Sequence, residues 1–148
     1  MKLEAGTFVG GTRIDISLQY RTHLSNGLLL FAFGGTGTYF ILQLEAGSLL
    51  WKLSVNGVEY SFTFEDDSIS LCDGLWHTVQ LVRKGTQMKL TVDTLSFVSV
   101  GNPDQPVDGV AISSYLYVGG IPDDDAEAVS FIRRSQLDQH IQHSQSLF

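Results

Sequence analysis

Cysteine is almost missing from this chain: Cys72 is the only one in 148 residues. An internal disulfide is therefore excluded. A lone thiol suits a cytosolic and a secreted protein alike, so cysteine usage leaves the compartment open. Glycosylation sequons are missing too. Asn26, Asn56 and Asn102 are followed by Gly-Leu, Gly-Val and Pro-Asp, none of which completes Asn-x-Ser/Thr.

Charge is scarce. Only 17% of residues are charged while 43% are hydrophobic, which excludes disorder over most of the length. Positive charge is the scarcer sign: nine Lys and Arg stand against sixteen Asp and Glu, for a net charge of -7. An acidic surface repels phosphates, so nucleic acid is excluded as a partner and heparin-like sulfated glycans are disfavoured. One local cluster, Arg83, Lys84 and Lys89, is a candidate basic patch, although such charges commonly do no more than solvate a strand face.

Long apolar runs are absent. The segment from Gly27 to Phe33 is apolar but meets Gly34-Gly35, too soon to cross a bilayer as a helix. Met1-Lys2-Leu3-Glu4 lacks the apolar stretch of a signal peptide, as expected of a domain taken from a longer chain. Helical periodicity is also missing, except at Ser135 to His143, which reads as a helical turn or a polar loop.

What the chain does have is a period of two. Trp51, Leu53 and Val55, then Val58, Tyr60, Phe62 and Phe64, alternate with polar residues around Asn56-Gly57. Asn-Gly between alternating strands is a strong hairpin signal, and a two-residue turn sets Val55 opposite Val58. The apolar positions of both strands then share one face, which has to be covered by a second layer. Further strands are expected at Arg13 to Arg21, Gly27 to Phe33, Tyr39 to Leu44, His77 to Arg83, Met88 to Val92, Ser96 to Val100 and Tyr115 to Val118. Turn residues separate them at Ser25-Asn26-Gly27, Ala46-Gly47, Asp73-Gly74, Lys84-Gly85, Asn102-Pro103 and Gly119-Gly120. This pattern predicts an all-β, antiparallel sandwich or barrel. No composition shift, repeat or low-complexity tract divides it, so residues 1–148 read as a single domain with a short acidic loop at Asp123-Asp124-Asp125.

Catalytic signatures are weak. No serine lies in a Gly-x-Ser-x-Gly elbow. Cys72 and His77 are the residue types of a thiol nucleophile and its base, but no local signature supports the pairing. Gly34-Gly35-x-Gly37 lacks the βαβ context of a phosphate loop. His140 and His143 could share one face of a helical turn, yet no third zinc ligand is near in sequence.

Three ordered motifs carry a resemblance. Ile16-Ser-Leu-Gln-Tyr-Arg-Thr22 leads into Asn26-Gly-Leu-Leu-Leu-Phe31; Leu71-Cys-Asp-Gly-Leu-Trp-His77 precedes Val79, Val82 and Arg83; and Leu116-Tyr-Val-Gly-Gly-Ile-Pro122 comes last, with Leu90-Thr-Val-Asp93 between the second and third. Their order and spacing, over roughly residues 8 to 122, resemble the laminin G-like (LNS) family. The resemblance implies an antiparallel two-sheet β-sandwich, a jelly roll of concanavalin/laminin G-like type, in an extracellular setting. It leaves 123–148 as an acidic loop and a closing segment that is expected to be truncated. In the sandwich, Trp76 is expected as a core anchor beside the Asp73-Gly74 turn, His77 as the start of the next strand, and Gly119-Gly120 as a turn where a Cβ would clash, with Pro122 ending the pairing.

The resemblance also bears on sites. Many members bind calcium at the sandwich rim through two Asp side chains, a chemistry that needs anionic oxygen. The matching positions here are Thr38 and Ala111, so no metal is expected; Asp108 and Asp123 are the weak candidates. In laminin-type members the cysteine matching Cys72 pairs with one in a C-terminal strand, and that partner is absent from this sequence. The function expected is a non-enzymatic extracellular adhesion or recognition module for a protein or glycan partner, without nucleic acid and without membrane insertion. The alternative is a structural spacer within a large ectodomain. A glycan-cleaving sandwich enzyme ranks last, because the strands offer few paired acids.

Overall fold

The computed structural model describes residues 2–4, 13–34, 37–100 and 112–120. Within these, every regular element is a strand: β1 (Lys2–Glu4), β2 (Arg13–Tyr20), β3 (Gly27–Gly34), β4 (Tyr39–Glu45), β5 (Ser48–Val55), β6 (Val58–Phe64), β7 (His77–Lys84), β8 (Gln87–Val92), β9 (Leu95–Val100) and β10 (Ile112–Val118). They form two antiparallel sheets, a six-stranded one in the order β1-β10-β3-β4-β5-β6 and a four-stranded one in the order β2-β7-β8-β9. The all-β sandwich expected from the sequence is the fold observed.

The turns form as their residues dictate. Asn56 and Gly57 both have positive φ, 51° and 85°, which is the mirror-image turn that matches strand twist. Val55 accordingly pairs with Val58. Ala46 and Gly47 repeat the device between β4 and β5, at 50° and 83°. Here the Asn26 side chain accepts the Ala46 N–H at 2.8 Å, and the Ser25 carbonyl accepts the Gly47 N–H at 2.9 Å.

The core lies between the sheets. β5 contributes Leu49, Trp51, Leu53 and Val55; β7 and β8 contribute Val79, Leu81, Met88, Leu90 and Val92 from the other side. In β3 the register shifts between Leu28 and Leu30, a bulge that turns Leu29 and Leu30 both into this core. Phe31, Phe33 and Tyr117 face the other side of the six-stranded sheet, where their rings lie 5.6 to 6.5 Å apart. Burial of β3 and β4 on both faces explains their unbroken apolar sequences.

Strand parity overturns two expectations. Arg83 shares the inward face of β7 with Val79 and Leu81, so it is 1% exposed and forms no surface patch. Its Nε donates to the Gly85 carbonyl at 2.9 Å, and its guanidinium lies 5.7 Å from the Tyr60 ring centre. Trp76 immediately precedes His77, which points inward, so the tryptophan points outward. It is 58% exposed and is not a core anchor. The buried tryptophan is Trp51, packed 5.9 Å from Phe40.

Candidate recognition rim

Two loops meet at one end of the sandwich, residues 21–26 after β2 and residues 65–76 before β7. A hydrogen bond ties them: Gly74 N–H donates to the Thr22 carbonyl at 2.9 Å. Gly74 has φ 80°, and a Cβ there would stand 2.2 Å from the His23 ring. The positive φ favours glycine, which accounts for the Asp-Gly pair in the sequence, whereas the exposed His23 ring has room to swing aside.

His77 braces the second loop from below. Its Nε2 lies 3.0 Å from Asp73 Oδ1 and its Nδ1 lies 2.9 Å from Asp93 Oδ2. Each carboxylate has a backbone partner as well. Asp73 Oδ1 accepts the Leu75 N–H at 2.8 Å, and Asp93 Oδ1 accepts the Thr78 N–H at 2.9 Å. With a carboxylate on each nitrogen, the ring satisfies both as an imidazolium. Burial opposes that charge, but the hydrogen bonds and charges of Asp93 and Asp73 outweigh it and hold the His77 pKa above its ordinary value. The Leu75 amide, together with His77, holds Asp73 below the usual carboxylate range. Burial raises Asp93, but His77 and the Thr78 amide bring its net value below the usual range.

Tyr20 completes the support. Its ring centre lies 5.6 Å from that of His77, and its hydroxyl donates to the Leu71 carbonyl at 3.0 Å. Burial and the surrounding negative groups keep the phenol far above its ordinary pKa. The loop is thus tied at Leu71, Asp73 and Gly74.

On this frame stand large exposed apolar side chains: Leu75 at 65%, Trp76 at 58% and Leu24 at 43%. The Arg21 guanidinium lies 5.1 Å from the Trp76 ring centre, a cation–π contact that steadies the indole in solvent. Both His77 nitrogens already face carboxylates, so neither is free to activate Cys72, which is partly exposed and a free thiol. The zinc pair His140 and His143 lies outside the described residues.

The sequence named His77 as a strand start and missed its two carboxylate partners. The spacing Asp73 to His77 across a glycine turn, followed by an Asp at the end of the next strand, was the available signal. Gly119 and Gly120 have φ of 75° and 145°, and Gly119 N–H donates to the Leu29 carbonyl at 2.9 Å, one step beyond the Val118–Leu30 pair of β10 and β3. At the first calcium position, Thr38 is 4% exposed and its hydroxyl accepts the Asn56 N–H at 3.2 Å. A neutral hydroxyl engaged in a turn does not fit the anionic ligand that calcium needs there. Ala111, Asp108 and Asp123 lie outside the described residues.

Fold and site together define an antiparallel jelly-roll β-sandwich whose end loops carry exposed apolar side chains. The sequence model of the laminin G domain matches residues 20–140, and the chain belongs to that family. Usherin of Homo sapiens is 33% identical over 125 residues, which is 82% of this chain and 2% of usherin. Neurexin 1 of Drosophila melanogaster is 34% identical over 114 residues, 76% of this chain and 6% of that protein. The chain therefore spans a small fraction of the curated relatives it matches. Among solved structures, domains LG4-5 of the mouse laminin alpha1 chain superpose with a TM-score of 0.73 at 23% identity, covering 99% of this chain and 35% of that one, a likeness of fold.

Proposed function

We propose that this chain is a non-enzymatic extracellular recognition module and that it holds a protein or glycan partner on the rim formed by Leu24, Leu75 and Trp76. One observation carries the reading: these large apolar side chains are exposed on two loops joined by the Gly74–Thr22 hydrogen bond, the second of them tied down by His77 through Asp73. Exposed apolar groups are costly in water unless a partner covers them, and preorganised aromatic anchors contribute disproportionately to binding. Family membership supports the extracellular setting. No helix among the described residues is long and apolar enough to cross a membrane. Calcium has no part in this reading, because Thr38 supplies no carboxylate.

The test is a binding screen of the purified domain against extracellular proteins and an immobilised glycan array, run in calcium and in chelator. Binding that survives chelation and falls at least tenfold in the L75S/W76A variant is the expected result, about 1.4 kcal/mol for the anchor pair. Binding that vanishes in chelator, or is indifferent to the variant, overturns the assignment. A domain that retains nothing from either panel turns the reading toward a structural spacer.

A further inference from the structure

The four-stranded sheet ends in β9, which lacks the features that keep an edge strand from recruiting another. Its sequence, Leu-Ser-Phe-Val-Ser-Val, contains no charge and no proline. Its pairing with β8 runs from Gln87↔Val100 to Val92↔Leu95 with no shift of register, so no bulge turns it aside. No described strand pairs with its other side, and alternate residues of an outer antiparallel strand direct N–H and C=O away from the sheet.

The two faces of β9 differ in chemistry. On the inner face, Phe97 meets Phe64 of the opposite sheet edge-on, 4.8 Å between centres, yet is 37% exposed. It forms an apolar shelf at the seam of the sandwich. On the outer face, Val98 is 52% exposed and borders an open groove of about 90 Å³ lined also by Val82, Lys84, Gln87 and Lys89. Lys89 stands directly opposite Val98. Both lysines are exposed, and neither takes part in an ion pair among the described residues. Two cations thus stand beside an uncharged edge in a chain of net charge -7.

We infer that β9 is a strand-addition site for an extended segment of a partner protein whose residues alternate between apolar and acidic. The added strand takes up the outward N–H and C=O groups of β9. Its apolar residues lie beside Phe97 and its carboxylates lie over the groove, within reach of Lys84 and Lys89. The alternation follows from strand geometry, which sends successive side chains to opposite faces. Charge decides the occupant. A second copy would present its own β9, which carries no carboxylate, and would leave both lysines unpaired. A sulfated glycan would meet the lysines but leave the backbone row and Phe97 unused. The site lies on an edge strand, away from the rim loops, and does not depend on the rim reading.

The test uses a short synthetic peptide alternating glutamate and valine, a second peptide with lysine in place of glutamate, and amide NMR of the intact domain. The glutamate peptide is expected to shift the β8 and β9 amides and to slow hydrogen exchange along β9. The K84E/K89E variant should weaken it about tenfold, the scale of two favourable exposed charge pairs, and should bind the lysine peptide instead. That reversal also shows that the variant is folded. Equal binding of both peptides by the wild type, or perturbation confined to other edges, overturns the inference. Slowed exchange along β9 without peptide, rising with protein concentration, also overturns it and assigns the edge to a second copy. Shifts at Lys84 and Lys89 with a heparin oligosaccharide, while the peptide leaves β9 unchanged, overturn it in favour of a glycan.

Discussion

His77 Nδ1 lies 2.9 Å from Asp93 Oδ2, and the same Asp93 holds the Thr78 amide through its other oxygen at 2.9 Å. One carboxylate thus fixes both the ring and the backbone at the start of β7. Asp73 holds the opposite ring nitrogen at 3.0 Å, so the histidine joins the rim loop to the β8–β9 turn.

The first prediction concerns pH. The folded pKa of His77 is raised above its ordinary 6.5, so its contribution to stability is full below that value and is lost as pH rises through the folded value. Asp73 and Asp93 are depressed from 3.8, so their contributions are present above that value and are lost as pH falls through their folded values. The brace is therefore strongest between these limits. Urea midpoints measured from about pH 5 to about pH 9 should decline through the upper window in the wild type, and the decline should be absent in H77Q. A wild-type curve parallel to that of H77Q would show that the ring carries no charge in the fold.

The second concerns Asp93 itself, which sits at φ 54°. Asparagine tolerates this conformation, so D93N isolates the lost charge from backbone strain. It keeps an acceptor for Thr78 but weakens the hold on the imidazolium. The expected cost is about 1–2 kcal/mol, taken from the low end for charged hydrogen bonds because the side chain is partly exposed. Denaturant unfolding measures it, and D93A should cost more because alanine adds strain at positive φ.

Much of the fold was legible because strand and turn signals are local. Asn56-Gly57 specified its hairpin and the register of β5 and β6. Alternation placed β2, β7 and β8. Less visible were the ends. β5 begins at Ser48 rather than Trp51, because Leu49 and Leu50 continue a strand that is buried on both faces and does not alternate. β10 begins at Ile112, and β1 left no local pattern at all in its three residues.

The site was less legible, since its logic spans distant residues. Arg83 looks like part of a basic run in sequence, yet its parity with Val79 and Leu81 sends it inward. Trp76 suggests a core by its size, yet it precedes an inward residue and stands in solvent. Asp93 is 16 residues from His77, and only the pairing of β7 with β8 brings them together.

The third prediction compares two glycines of positive φ. Gly57, at 85°, has nothing near the position a Cβ would take, so G57A should cost only backbone strain, about 1 kcal/mol. Gly37, at 73°, packs on the same hairpin, and a Cβ there would lie 2.7 Å from Gly57 N. Its carbonyl also accepts the Gly57 N–H at 3.0 Å and the Ser54 hydroxyl at 2.7 Å. G37A has to move backbone as well as adopt the strained φ, so it should be clearly the more destabilising in denaturant unfolding. Equal costs would show that the hairpin yields without resistance.

The fourth separates the two tryptophans. Trp51 is fully buried against Phe40, and W51A should cost about 3–5 kcal/mol, the range for removing a large aromatic core side chain. Trp76 is 58% exposed and touches Arg21, so W76A should change stability by less than about 1 kcal/mol. Fluorescence reads the same contrast directly. An aqueous quencher should reach the Trp76 component and spare Trp51, and W76A should abolish most of the quenchable signal. R21A should raise the quenching of Trp76 by uncovering the side of the indole that the guanidinium occupies. If W76A instead unfolds the domain, Trp76 belongs to the core and the rim loses its anchor.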